Sequence, residues 1–205
     1  MQRRKPVIGI AGGIGAGKSS VARIFESLGA VVVDSDRMAH EELREPEVVA
    51  KLRAWWGSAV CPDGKRVDRK LVAEIVFNDR AELARLEGLI YPRLEARRCA
   101  LFERYAADDG VLAIVIDAPK LFEAGLDRQC DAVVFVDAAP RVRSNRLSVS
   151  RGWTEDELHR RENLQEPLDT KKAKADYTVV NNSRIDELRP EIERILSAVL
   201  AAHLR

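Results

Sequence analysis

Cysteine is scarce in this chain of 205 residues, and the three present, Cys61, Cys99 and Cys130, are odd in number and widely spaced. No Cys-x-x-Cys pair occurs. That excludes a disulfide framework and a cysteine zinc site, and it reads as reduced, buried thiols in a cytoplasmic protein. An excess of one charge is also lacking: 34 Lys and Arg stand against 33 Asp and Glu, for a net charge of +1. No global field draws the chain to nucleic acid or to an anionic membrane, so any anion must be bound by local clusters. Long apolar runs are missing too; none approaches the roughly 20 residues of a membrane span. The opening Met1-Gln2-Arg3-Arg4-Lys5 is basic. The apolar run behind it is short and passes straight into a glycine-rich loop, unlike a signal peptide. Fixed-period repeats and low-complexity tracts are absent.

What is present suffices for a packed core. With 46% hydrophobic and 33% charged residues, the chain is not globally disordered. Its length suits one α/β domain with insertions, or a core with a lid. The most informative stretch is Gly12-Gly13-Ile14-Gly15-Ala16-Gly17-Lys18-Ser19. Before it stands the β-branched run Val7-Ile8-Gly9-Ile10. After it, Val21, Ile24, Phe25 and Leu28 keep helical spacing, and Gly29 ends the segment. A strand on one side and a helix on the other is the context of a P-loop. Glycines let successive N–H groups turn toward phosphate oxygens, and the helix N-terminus adds its own amides and dipole. Lys18 would lie along the β- and γ-phosphates, and Ser19 would put a hydroxyl on Mg²⁺. The plain alternative is a glycine-rich turn with no ligand.

Further along, Ala30–Val33 reads as a strand ending in Asp34-Ser35-Asp36. Residues 37–109 turn helical and charged, with helices expected over Pro46–Trp56, Arg69–Phe77 and Arg80–Tyr105 and a turn at Pro62-Asp63-Gly64. Trp55 and Trp56 read as packing rather than as a ligand cleft. Strands follow at Val111–Ile116, Ala132–Val136 and Tyr177–Val180, and an amphipathic helix from Asp186 to about Leu204, with Pro190 near its first turn. The order is β-α-β-(helical insert)-β-(helix)-β-(helix)-β-α. Fully apolar strands indicate a parallel sheet covered on both faces, hence a doubly wound, five-stranded α/β domain.

Asp34, Asp36, Asp117, Asp137 and Asn181 all come just after predicted strands, as does the glycine loop. Ligands bind beyond the carboxyl ends of such sheets. Asp34, Asp36 and Asp117 read as functional, Asp137 and Asn181 as helix caps or minor contacts. Residues 141–174 hold nine cations against six anions. They read either as a solvated helix–loop–helix or as a lid that closes over a transferring phosphoryl group, in which only one or two arginines matter.

With these residues assembled, the chain resembles the dephospho-CoA kinase family over nearly its whole length. The resemblance is carried by Gly9–Ser20, by Asp34-Ser35-Asp36 with Ala39 beyond, and by Asp63-Gly64, Asp68-Arg69-Lys70-Leu71 and Val76-Phe77. It continues through Pro119-Lys120-Leu121-Phe122-Glu123, then Arg146, Gln165 and Lys171 or Lys172, and Ala175-Asp176 with Asn181. Departures are Lys120 for Leu, Tyr91 before Pro92 where His is usual, Arg143 where Gln is common, and a shifted Gly152-Trp153-Thr154.

The resemblance implies ATP-dependent phosphorylation of the ribose 3′-hydroxyl of dephospho-CoA, with Mg²⁺. It implies that Asp36 is the base for that hydroxyl, with Lys18 and Arg146 acting on the phosphates. Gly13, Ile14, Gly15, Ala16, Gly17, Lys18, Ser19, Ser20 and Asn181 would bind the nucleotide. Asp34, Asp36, Arg69 and Leu121 would bind the acceptor. Ser19 would hold the metal, with Asp34 or Asp117 reaching it through water. The core would cover 1–36, 110–140 and 175–205, the acceptor-binding insert 37–109 and the lid 141–174. The expected partner is the small-molecule substrate alone, without nucleic acid or membrane, and the chain would act in the cytoplasm as a monomer or weak homo-oligomer. Two other readings stay open: another P-loop nucleotide or metabolite kinase, and a nucleotide-dependent regulatory ATPase. The second would normally show a guanine-reading Asn-Lys-x-Asp or a strong basic patch, and neither is present.

Overall fold

The computed structural model describes residues 4–182 and 185–204. Five strands, β1 (Val7–Gly12), β2 (Ala30–Asp34), β3 (Ala113–Asp117), β4 (Ala132–Asp137) and β5 (Tyr177–Val180), form one parallel sheet in the order β2-β3-β1-β4-β5. Most of the strand residues are apolar and buried, as a sheet packed on both faces requires. From β1 the chain runs through α1 (Lys18–Ser27) to β2 on one side, while β3 leads across to β4 on the other. The loop after β1 thus lies where the strand order reverses, the place such sheets keep for ligands.

By internal contacts the chain forms two compact units, Met1–Asp34 with Phe102–Arg205, and Ser35–Leu101. In the first, Ile8, Ile10, Val115, Val134 and Val136 pack with Val21 and Phe25 of α1 and with Ile192, Leu196 and Val199 of a C-terminal helix. The segment 140–173 of this unit is three helices rather than a helix–loop–helix: α6 (Pro140–Arg151), α7 (Glu155–Glu162) and α8 (Leu168–Ala173). Thr154 caps α7 by accepting from the Glu157 amide at 3.3 Å, and Gly152 closes α6 in the left-handed conformation. Pro167 starts the third helix.

The second unit holds α2 (Ser35–Glu42), α3 (Pro46–Trp56), α4 (Arg69–Asn78) and most of α5 (Arg80–Ala106). Val48, Leu52, Val60, Val72 and Ile90 form its core, against which Trp55 and Trp56 pack. The Trp56 indole N–H donates to Glu82 at 2.8 Å, and the Arg85 guanidinium lies 4.2 Å above the Trp55 ring. Both tryptophans are therefore packing residues, as expected.

Further sequence expectations need correction. No α-helix joins β3 to β4. Seven residues from Pro119 to Gly125 make one turn, closed by Ala124 N–H to Lys120 O at 2.9 Å, and only a 3₁₀ stretch, Leu126–Gln129, follows. The strand expected from Val111 begins at Ala113. The final helix, α9 (Arg189–His203), is preceded by a 3₁₀ turn, Ile185–Leu188, where a helix start at Asp186 was expected. Of the cysteines, all free, Cys61 is buried but Cys99 is exposed.

Gly9, in the middle of the central strand, is tightly enclosed: a Cβ there would stand 2.8 Å from both Leu121 Cδ2 and Cys130 Sγ. Overpacking of this kind costs about 1–3 kcal/mol. Gly9→Ala is expected to lower stability by that amount, read as a fall in the denaturant midpoint with the slope unchanged.

Candidate active site

The glycine loop bends where side chains would not allow it. Gly12 has φ 145°, and a Cβ on it would stand 2.5 Å from the Val136 carbonyl oxygen of β4. Gly17 has φ 91°, and a Cβ there would stand 2.2 Å from the Asn181 side-chain nitrogen. Both positions require glycine for conformation and for room.

Side chains fix the loop's carbonyls. Lys18 Nζ donates to the Gly12 and Gly13 oxygens, each at 3.0 Å. Asn181 Nδ2 donates to Ala16 O at 2.8 Å, and Arg146 Nη1 to the same oxygen at 3.3 Å. Arg146 Nη2 donates to Asn181 Oδ1 at 3.1 Å, which closes the triangle. Arg143 Nη1 approaches Ile14 O at 3.5 Å and pairs with Glu162.

At the adjacent strand, Ser19 Oγ donates to Asp117 Oδ2 at 3.2 Å. Asp117, 8% exposed, is the last residue of β3 and is paired in register with Asp34, the last of β2. The sheet thus brings Ser19, Asp117 and Asp34 to one end. Asp36 lies in the first turn of α2, and Arg69 opens α4 behind Asp68, which caps that helix through the Lys70 and Leu71 amides at 3.0 and 3.2 Å. Leu121, expected at the acceptor, is 1% exposed and packs against the back of β1. Its position is that of a core residue.

Of the alternative lysines, Lys171 is buried at 1% exposure and Lys172 is not. Lys171 Nζ meets Glu123 at 2.8 Å, Gln165 Oε1 at 3.1 Å and Pro119 O at 3.4 Å. It ties α8 to the turn that follows Asp117. Burial pushes the Glu123 carboxyl up. The hydrogen bonds from Lys171 and from the Glu166 and Glu123 amides, with the nearby ammonium charge, outweigh this and hold it below its ordinary value. Lys172 pairs with Asp137 at 2.7 Å, and that bond and charge raise its pKa. Being solvent-exposed, this pair contributes little.

Sequence reasoning counted Arg143 and Glu162 among the charges of 141–174 and noted Arg143 as a departure, but gave neither a specific role. Nothing local marks their pairing, since they lie on different helices. Among the described residues no group of three or more His, Cys, Asp or Glu could hold a metal, and no helix is long and apolar enough to cross a membrane.

Comparison with known proteins bears on the family and the fold. A family model described as dephospho-CoA kinase matches residues 6–187. A dephospho-CoA kinase of Corynebacterium glutamicum is 36% identical over 95% of this chain and 97% of its own length. A crystal structure of a Thermus thermophilus protein superposes with a TM-score of 0.80 at 31% identity, covering 98% of each chain. A dephospho-CoA kinase from Campylobacter jejuni, at 21% identity, TM-score 0.63 and coverage of 96% and 98%, shares the fold.

Removing one partner of a buried ion pair leaves the other uncompensated. Glu123→Gln is expected to cost about 2 kcal/mol at pH 7, less than a fully enclosed pair because Glu123 keeps a solvent-facing edge. The folded carboxyl titrates below the unfolded one, near 4.5. Its contribution is thus complete above that pH and is lost as pH falls through the folded value. Calorimetric melting should show the gap between wild type and variant closing as the pH drops below 4.5.

Proposed function

This chain belongs to the dephospho-CoA kinase family, and we propose that it transfers the γ-phosphoryl group of ATP to the ribose 3′-hydroxyl of dephospho-CoA through the residues described above. The observation that carries the residue assignment is the Ser19–Asp117 contact. It joins the phosphate loop to a strand-end carboxylate at the reversal point of the sheet.

In this reading the amides of Gly13–Ser20 cradle the phosphates, and Lys18 swings its ammonium along the β- and γ-phosphates. Arg146, one hydrogen bond from the loop, neutralises charge on the transferring oxygens. Asp36 orients the acceptor hydroxyl in line with phosphorus and takes its proton late, because little bond formation to the nucleophile precedes the transition state. Arg69 binds the acceptor, and Asn181 serves the nucleotide site through the Ala16 carbonyl. The unit Ser35–Leu101 acts as the acceptor-binding part and 141–174 as the lid.

A hydroxyl and a carboxylate within bonding distance, as at Ser19 and Asp117, are hard oxygen donors that suit Mg²⁺, which normally keeps several waters and one or two carboxylates. Ser19 would hold the ion, with Asp117 or Asp34 reaching it through water. When bound it supplies charge neutralisation on the phosphate oxygens.

The test is an ADP-release assay with dephospho-CoA set against adenosine, AMP and gluconate. Release only with dephospho-CoA supports the reading, and equal or greater release with another acceptor overturns it. In the same assay Asp36→Asn should lower turnover by ~10²–10⁴ while ATP affinity stays within a few-fold. Equal loss of both would remove Asp36 as the base. Arg146→Ala should cut turnover by ~10³ or more with acceptor KM little changed, and a change confined to acceptor KM would refute its role.

A further inference from the structure

Arg143 carries a permanent charge into a buried place, at 6% exposure, against the outside of the phosphate loop. Its Nη1 pairs with Glu162 of α7 and approaches Ile14 O at 3.5 Å. Its Nε is buried with no hydrogen-bond partner among the described residues. An unpaired buried N–H is a cost, so an apolar side chain of similar length would serve packing better.

Gly13 supplies a second, independent observation. Its φ is not in the left-handed region, so backbone conformation does not demand glycine there. Yet a Cβ on Gly13 would stand 3.0 Å from Arg143 Nη1 and 3.4 Å from its Cδ. A Gly15 Cβ would stand 3.0 Å from the Arg143 backbone oxygen and from Leu147, and Leu168 lies 3.3 Å from a Gly13 Cβ. The loop is fitted closely to α6 and α8, and at Gly13 the nearest atom is the Arg143 guanidinium.

Resting on the nucleotide site proposed above, we propose that Arg143 is a positioning residue for the nucleotide phosphates. It latches the Gly13–Gly15 backbone to α7 through Glu162. The latch holds the loop amides in their phosphate-facing geometry and makes the order of α7 depend on nucleotide binding. Glu162 neutralises the guanidinium and aims it, so the two act as a unit. Arg146 grips the next carbonyl but one, Ala16 O, from the same helix, so α6 holds the loop at two points.

The experiment uses the full chain and ADP alone, with binding read by titration calorimetry, alongside steady-state kinetics for both substrates. The variants are Arg143→Met, Arg143→Lys, Glu162→Gln and the Met/Gln double variant. Arg143→Met is expected to weaken ADP binding and raise ATP KM about tenfold, the size of one lost charge-assisted hydrogen bond, with acceptor KM within twofold. Glu162→Gln should shift both in the same direction by a smaller factor, with Arg143→Lys intermediate. The double variant should be no worse than Arg143→Met, because members of one network are not additive. Hydrogen exchange should show ADP protecting the α7 amides in wild type and not in Arg143→Met.

Unchanged ADP affinity in folded Arg143→Met overturns the proposal, as does full additivity in the double variant or an equal rise in both KM values. If Arg143→Met does not fold, the other two single variants decide: unchanged ADP affinity in both overturns it. Because ADP binding needs no acceptor, an error in the acceptor assignment leaves this result readable. A wild-type chain that binds no ADP sinks both readings.

Discussion

A phosphate loop works only if its peptides face the right way, and here side chains hold them from behind. The oxygens of Gly12, Gly13, Ile14 and Ala16 each receive a donor, from Lys18, Arg143, Arg146 or Asn181. In a planar trans peptide the C=O and the following N–H point in opposite directions. Gripping a carbonyl on one side therefore fixes the next N–H on the other. Three of these four donors come from outside the loop, from α6 and from the end of β5. The loop's shape thus depends on strands and helices that follow it by more than 120 residues, as the Arg143–Ile14 separation of 129 shows.

The same dependence runs along the strand ends. Asp117 meets Ser19 because β3 lies beside β1, and Asp34 lies beside Asp117 because β2 pairs with β3. Lys171 then secures the turn after Asp117 by bonding Pro119 O and Glu123. A buried ammonium costs a good deal unless its hydrogen bonds are met, and this one meets a carboxylate, an amide oxygen and a backbone carbonyl. The turn it holds replaces the helix that the alternation of elements had led one to expect. Pro119 and the left-handed Gly125 leave room for one turn only.

Much of this was legible in the residues alone. β-branched apolar runs marked all five strands. Helical periodicity placed Pro46–Trp56 to the residue, an apolar β-branched run did the same for Tyr177–Val180, and the glycine spacing marked the loop. Local pattern carries such information because strands and helices bury their faces at fixed periods. Partners distant in sequence were not legible. Lys171 and Lys172 look alike in sequence, and only packing buries one and leaves the other at the surface. Arg143 and Glu162 stand 19 residues apart on separate helices, with no local signal linking them. Leu121 sits in a motif, yet its side chain fills the space that Gly9 leaves in the central strand.

The strand order has a consequence for synthesis. β1 is made first, and both its neighbours, β3 and β4, are made more than 100 residues later. At ordinary translation speeds the wait is roughly 5–25 seconds. Throughout it, Val7–Gly12 must leave the ribosome with no strand on either edge. That leaves the fully buried central strand of the finished protein as a segment of the nascent chain that a chaperone would have to cover.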